Sequence, residues 1–287
     1  MPESKPSGGE WPGRGPAGRA FVKMHGARNH CVIVDARREP FQRPPAEIVR
    51  ICDVRVGVGA DQLVVIETGG NDAIAASLRF YNVDGMEAEA CGNATRCVAW
   101  LLLEERGADA LELRTRNGVL ECRRTGERRV SCGMGELSMD WRRIPLAEAR
   151  DTCHLGITSG PLEDPVAVSV GNPHAVFFVD DLDAIDLARY APPVQSHALF
   201  PRQANVGAAQ LIAHDRLRLA VYERGAGLTM ACGSGACAAV YAALARGLTD
   251  TRRITVQMPG GEVEIEIMAD GHAVMTGAVE YCFSGFL

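Results

Sequence analysis

Lysine is nearly missing from this 287-residue chain: Lys5 and Lys23 stand against 28 arginines. A pyridoxal phosphate enzyme needs a lysine amine for its Schiff base, so a chain with one lysine outside its first twenty residues speaks against that cofactor. Excess positive charge is missing too, and a net charge of −6 offers no electrostatic footprint for nucleic acid. No apolar run approaches the roughly 18 residues that read as a membrane span. The opening "MPESKPSGGEWPGRGPAGRA" lacks the apolar core of a secretory signal and is rich in Pro and Gly. Residues 1–20 are therefore expected to form a flexible tail, and the chain to be cytoplasmic. In that compartment its ten cysteines are expected as free thiols, since disulfide frameworks belong to small secreted chains. The pair Cys-x-x-Cys occurs nowhere, which removes a thioredoxin-like redox site.

What is present is a sentence written twice. Residues 88–107 read "AEACGNATRCVAWLLLEERG" and residues 229–247 read "TMACGSGACAAVYAALARG". Both place Ala-Cys-Gly and a small polar residue before an apolar run that ends in Arg-Gly, with Cys91 and Cys232 141 positions apart. Tyr81-Asn82 precedes Cys91 by ten and nine residues, and Tyr222-Glu223 precedes Cys232 by the same spacing. Each tyrosine ends a stretch of alternating polarity, "ASLRFYN" and "LRLAVYE", as a half-buried strand does. After each apolar run comes a hairpin signal, with turns expected at Asn117-Gly118 and Gly260-Gly261. Strand, loop, Cys-Gly, helix and hairpin thus recur, and two homologous halves are expected rather than a coincidence of common supersecondary units. "HCVIVD", "LVVIE", "VAVSV", "HAVFFVD", "AAQLIA" and "AVMTGAVEYCF" read as further strands. "GACAAVYAALA" is small and apolar all round, so that helix should be encased, either by a sheet curled around it or between two flat layers.

The paired cysteines have the wrong spacing for metal. Zinc pairs are usually two to four residues apart, whereas Cys91 and Cys97 differ by six and Cys232 and Cys237 by five. On a helix those offsets turn the second sulfur by roughly 120–140° from the first. No metal is expected. Acid–base chemistry fits better. A cysteine at a helix start meets unpaired N–H groups and the positive end of the dipole, which favour the thiolate and an anion. Gly92 and Gly233 let a ligand approach the backbone, and Asn93 and Ser234 add polar side chains. Two such ends facing each other across an interdomain cleft would hold an amino acid carboxylate and place its α-carbon between two sulfurs. One thiolate takes the α-proton and the other thiol supplies a proton to the opposite face. Of the remaining cysteines, Cys52, Cys97, Cys122, Cys132, Cys153, Cys237 and Cys282 are read as packing residues.

With these motifs the chain resembles the diaminopimelate epimerase family from about Phe21 to Leu287. "FVKMHGARNHCVIVD", "VGVGADQLVVIE", "FYNVDGMEAEACGN", "VSVGNPHAVFFVDD", "ANVGAAQLI" and "VYERGAGLTMACGSGACA" carry the resemblance. It implies a cofactor-independent epimerase with Cys91 and Cys232 as the two bases. Gly92, Asn93, Gly233 and Ser234 would hold the reacting carboxylate, with Asn29 and Gln62 near the reacting centre. Asn82, Asn172, Asn205, Glu223 and Arg224 would hold the distal amino-acid group, and His174 would support Asn172 or Cys232. An Arg beside a Glu also suits a carboxylate and an ammonium on purely chemical grounds.

The implied fold is α+β: two pseudo-symmetric domains, each a curled, mostly antiparallel sheet around a central helix. The expected domains are residues 21–134 with 277–287, and residues 135–276. The expected partners are an amino acid substrate and a second copy of the chain, with neither nucleic acid nor membrane. The sequence departs from the family pattern at His30, Cys31, Ala94 and Leu228. Two other readings remain open at this stage. One is a racemase of the same fold acting on another amino acid, and the other is a non-catalytic amino-acid-binding or thiol-sensor protein.

Overall fold

The computed structural model describes residues 18–71, 73–88 and 90–287. The tail expected over residues 1–20 lies outside the described residues as far as position 17. The described residues form two compact units, one made of those from 18 to 132 with 276–287 and the other of 133–275.

In the first unit the order is β1 (Ala20–Gly26), β2 (Asn29–Asp35), α1 (Pro45–Cys52), β3 (Gln62–Glu67), β4 (Ala76–Asn82), β5 (Glu87–Ala88), α2 (Gly92–Arg106), β6 (Ala110–Thr115), β7 (Gly118–Gly126) and β8 (Arg129–Glu136). The apolar runs of β2 and β3 do not alternate, because both of their faces are covered. Val32, Val34, Leu63 and Val65 pack with Phe41 and Ile48 on the α1 side. Their neighbours Ile33, Val64 and Ile66 pack with Val98, Leu102 and Leu103 of α2. Both-face burial is what turns a period of two into a continuous run. Strand β4 does alternate, with Ala76, Leu78 and Phe80 buried and the residues between them partly exposed. Helix α2 touches β1, β2, β3, β6 and β7, so one curled sheet surrounds it.

In the second unit come β9 (Thr158–Ser159), β10 (Leu162–Glu163), β11 (Val166–Ser169), β12 (Pro173–Phe178), α3 (Leu187–Gln195), β13 (Asn205–Ala213), β14 (Arg216–Glu223), β15 (Gly227–Leu228), α4 (Gly233–Ala245), β16 (Arg253–Met258), β17 (Gly261–Ile267) and the start of β18 (His272–Ala278), whose residues from Thr276 on belong to the first unit. A final strand, β19 (Glu280–Phe286), pairs antiparallel with β1. The long run "AVMTGAVEYCF" is thus two strands that break at Val279, whose N–H bonds instead to the Arg128 carbonyl. Helix α4 touches β11, β12, β13, β14, β16 and β17. Most of its residues are buried, from Gly233 through Ala243. Its lack of a polar face is therefore the mark of a helix with no solvent side. Among the described residues no helix is long and apolar enough to cross a membrane.

The pairing pattern is the same in both units. β1 and β2 pair antiparallel, as do β11 and β12. β2–β3 and β12–β13 are parallel, and β3–β4 and β13–β14 antiparallel. β4 then pairs parallel with β6 and β14 with β16, and each closes an antiparallel hairpin with the next strand. The fold is α+β, with the same curled sheet built twice, each around one helix. The hairpin turns sit one residue earlier than the sequence suggests. Thr115 pairs with Gly118 and Met258 with Gly261, so the loops are Arg116-Asn117 and Pro259-Gly260. The glycine after each loop takes the positive φ, +127° at Gly118 and +146° at Gly261, which is where the missing Cβ is needed.

Candidate active site

Each unit brings its chemistry to one end of its sheet, and the register shows how. Parallel strands β2 and β3 begin at that end and β4 finishes there, so Asn29, Gln62 and Asn82 sit side by side, with Cys31 paired to Gln62 and Gln62 to Asn82. In the second unit His174 pairs with Asn205 and Val206 with Tyr222, which brings Asn172, Asn205 and Glu223 to the same three places. The helix that follows starts at the same end, with Cys91 and Cys232 as the residues just ahead of α2 and α4. Both cysteines have extended backbones, φ −146° and −122°, and their carbonyls accept the first helical N–H bonds, from Thr95 at 2.8 Å and Ala236 at 2.9 Å. The amides of Gly92, Asn93, Gly233 and Ser234 belong to the first helical turn, where N–H groups lack partners within the helix.

In the first unit the Cys91 thiol lies 3.7 Å from Asn29 Oδ1, and Gln62 donates from Nε2 to Asn82 Oδ1 at 3.1 Å. Asn93 is buried, and its Oδ1 accepts from Arg96 at 2.9 Å. Cys91 is half-buried. Behind it Cys31, in the place that His174 holds in the second unit, is buried, and its thiol is pushed well up by a hydrogen bond to Cys97 and by burial.

In the second unit a polar network surrounds the buried Cys232. Its sulfur accepts from the Gly235 N–H at 3.4 Å and lies 3.6 Å from Ser234 Oγ. His174 Nε2 stands 3.0 Å from Ser234 Oγ, 3.1 Å from Asn172 Oδ1 and 3.3 Å from Asn205 Nδ2. Asn172 also donates to Ser234 Oγ at 3.3 Å. The expected link from His174 to Asn172 is direct, whereas the one to Cys232 runs through Ser234. Burial, with Arg224 nearby, lowers His174 to about 3, so its imidazole is neutral and works as a hydrogen-bonding group. Asn205 Oδ1 accepts from the Arg224 backbone N–H at 2.8 Å, while the Arg224 guanidinium donates to the Arg202 carbonyl at 2.9 Å. Thr229 donates to Glu223 Oε1 at 2.5 Å.

A helix start was expected to favour thiolate at both cysteines. At Cys232 it does not. Burial raises this thiol well above its ordinary value, the Glu223 carboxylate adds to the rise, and the Ser234 and Gly235 hydrogen bonds only partly oppose it. The desolvation cost of a buried anion outweighs the dipole there. Glu223→Gln removes the adjacent negative charge and so should lower the Cys232 pKa. Alkylation of Cys232 at pH 8, followed by peptide mapping, should then run faster than in the wild type. An unchanged rate would leave burial as the sole cause.

Sequence reasoning passed over Arg96, Thr95, Gly235 and Thr229. Gly235 had a signal, since "CGSG" puts a second glycine in the first turn of α4. A Cβ there would lie 3.3 Å from Cys232 Sγ and 2.9 Å from Val221 Cγ2. Among the described residues no group of three His, Cys, Asp or Glu is arranged to hold a metal ion.

A curled sheet built twice, each copy around one helix, is a fold shared with solved structures of epimerases and isomerases. A hydroxyproline epimerase from Agrobacterium vitis superposes with a TM-score of 0.68 at 13% identity, covering 95% of this chain and 93% of its own. A phenazine biosynthesis protein of the PhzF family from Bacillus anthracis gives 0.67 at 14% identity, covering 94% and 99%. These likenesses establish the fold. The sequence goes further: the family profile described as diaminopimelate epimerase matches residues 21–139 and 166–282. The diaminopimelate epimerase of Acidiphilium cryptum is 48% identical over 94% of this chain and 97% of its own length. That of Rhodospirillum centenum is 46% identical over 94% and 92%. The chain belongs to the diaminopimelate epimerase family and is an isomerase.

Proposed function

We propose that this enzyme interconverts LL- and meso-2,6-diaminopimelate without a cofactor, with Cys91 and Cys232 acting on one α-carbon. One sulfur, as thiolate, takes the α-proton, and the electron pair left behind delocalises into the carboxylate. The other sulfur, as thiol, gives its proton to the opposite face and becomes the thiolate, so the reverse reaction uses the same parts with roles exchanged. The observation that carries this reading is the repeat itself: two thiols at helix starts, in matching register, each with a small polar residue two positions on. The protonated state of Cys232 suits the acid in one direction. The full-length match to relatives named for diaminopimelate supports the substrate. So does the chemistry of Glu223 and Arg224, one carboxylate and one guanidinium for the ammonium and carboxylate of the distal end, with Asn82, Asn172 and Asn205 fixing orientation. The activity would serve lysine and peptidoglycan precursor synthesis in the cytoplasm.

The test is incubation in deuterated water with diaminopimelate isomers and with other amino acids, followed by chiral analysis. Inversion of diaminopimelate with one deuteron incorporated is expected. Inversion of a different amino acid alone would transfer the mechanism to that substrate, and binding without any exchange would end the enzymatic reading. We further propose a homodimer, supported by the exposed Phe283 and Phe286 on β19. Sedimentation as a monomer at micromolar concentration would refute it.

Mild oxidation should join Cys91 to Cys232 and stop turnover reversibly, since a thiolate attacks an oxidised sulfur through a mixed intermediate. Peptide mapping is needed, because the free thiols Cys122 and Cys132, paired across β7 and β8, have sulfurs 2.7 Å apart and can form a disulfide of their own. Lost activity with Cys91 and Cys232 both reduced would count against the proposed pairing.

A further inference from the structure

Among the described residues, Arg96 heads the largest side chains with no solvent exposure. A buried arginine is rare, because its guanidinium stays charged and its desolvation must be compensated. Here the compensation includes a hydrogen bond with a direction: Nη2 donates to Asn93 Oδ1 at 2.9 Å, three residues back along α2. The guanidinium also lies against two glycines. A Cβ at Gly26 of β1 would stand 2.9 Å from Nη2, and one at Gly277 of β18 would stand 3.1–3.2 Å from Nη2, Cζ and Nε. Neither glycine has a positive φ, so what they provide is room for this group.

The internal repeat shows what the room is for. Counting from the cysteines, Asn93 matches Ser234, and Arg96 matches Cys237. In the second unit Ser234 is pinned by His174 and Asn172, which arrive from β12 and the loop before it. In the first unit the place of His174 is taken by Cys31, which makes its contacts elsewhere, with the Met24 carbonyl and Cys97. The polar residue of the first helical turn is held in both units, but by different means.

We propose that Arg96 is the positioning residue of the first half-site: it occupies the Asn93 oxygen, so that the amide keeps its NH2 group turned to the reacting carboxylate. The assignment rests on the reading that Asn93 binds that carboxylate. Arg96 itself touches no substrate. Because it is charged at every working pH, the orientation of Asn93 is independent of pH.

The experiment is a double-mutant cycle of Asn93→Ala and Arg96→Gln, read as KM for diaminopimelate, with thermal melting as the check on folding. A hydrogen bond to a charged group gives an expected rise in KM of about 10- to 100-fold for each single variant. The double variant should be no worse than the weaker-binding single, because both remove the same contact. Arg96→Lys should recover part of the loss. Multiplying effects, or a lower melting temperature with KM unchanged, would overturn the assignment and leave Arg96 a structural residue. Should Arg96→Gln fail to fold, Gly277→Ala presses on the guanidinium while leaving its charge in place. It too should raise KM, and a folded Gly277→Ala enzyme with wild-type KM would overturn the proposal. If the wild type inverts an amino acid other than diaminopimelate, the substrate reading fails instead, and the same cycle is read on that amino acid.

Discussion

Cys91→Ala and Cys232→Ala should each abolish epimerisation while leaving a one-sided proton exchange behind. Inversion needs a base on one face of the α-carbon and an acid on the other, and each variant keeps only one of them. A positioned acid or base contributes about 10²–10⁴-fold, so epimerisation should fall by at least that factor. The surviving sulfur can still remove a proton and return a deuteron on its own face. Each variant should then incorporate deuterium slowly into a single stereoisomer without inverting it, and the two variants should prefer opposite isomers. Alanine is the cleaner replacement, since a serine hydroxyl could still donate. The measurement is deuterium uptake and chiral composition for both variants from each isomer. Epimerisation at the wild-type rate in either one would make the two-cysteine mechanism wrong.

Arg224→Ala should reduce kcat/KM for diaminopimelate about 30- to several-thousand-fold, the equivalent of the ~2–5 kcal/mol commonly lost with one partner of a desolvated charge contact. The residue is poised for that role. Its backbone is tied to Asn205 and its Nη1 to the Arg202 carbonyl, and the residue is exposed. Exchange on short amino acids, which have no distal group to hold, should be negligible in both forms. Steady-state kinetics with unchanged kcat/KM would make Arg224 a structural residue and favour a racemase of another amino acid.

Two features make the outcome at the two cysteines unequal. Cys232 is buried beside Glu223 and kept as a thiol, with a neutral His174 reaching it through Ser234. Cys91 is half-buried beside an amide, Asn29, and its helix carries the charged Arg96 one turn on. Equal copies of the motif therefore sit in unequal electrostatic surroundings.

The repeat was legible in the sequence because its signals are local. Cys-Gly before a helix, alternation before the loop, a Gly-containing hairpin after it and an all-apolar helix each follow from a few neighbouring residues and the periods of helix and strand. Family motifs extended this to Asn29, Gln62, Asn82, Asn172, Asn205, Glu223 and Arg224, whose strand-end positions the structure describes.

Protonation was not legible. A helix start promises a thiolate, but whether burial defeats the dipole depends on what the rest of the fold places over the sulfur, and at Cys232 it does. Arg96 was not legible either. In "GNATRC" it looks like one more arginine on a helix, and only the closing of β1 and β18 around α2 makes it a buried cation resting on two glycines. The hairpin turns shifted by one residue for a related reason: strand register is settled by pairing across the whole ladder, and a dipeptide such as Asn117-Gly118 marks a turn without centring it. Sequence alone determined which groups could act, since reactivity belongs to residue type and local spacing. Charge state, orientation and register were decided by the tertiary structure, because desolvation, hydrogen-bond partners and ladder pairing are contributed by residues far away along the chain.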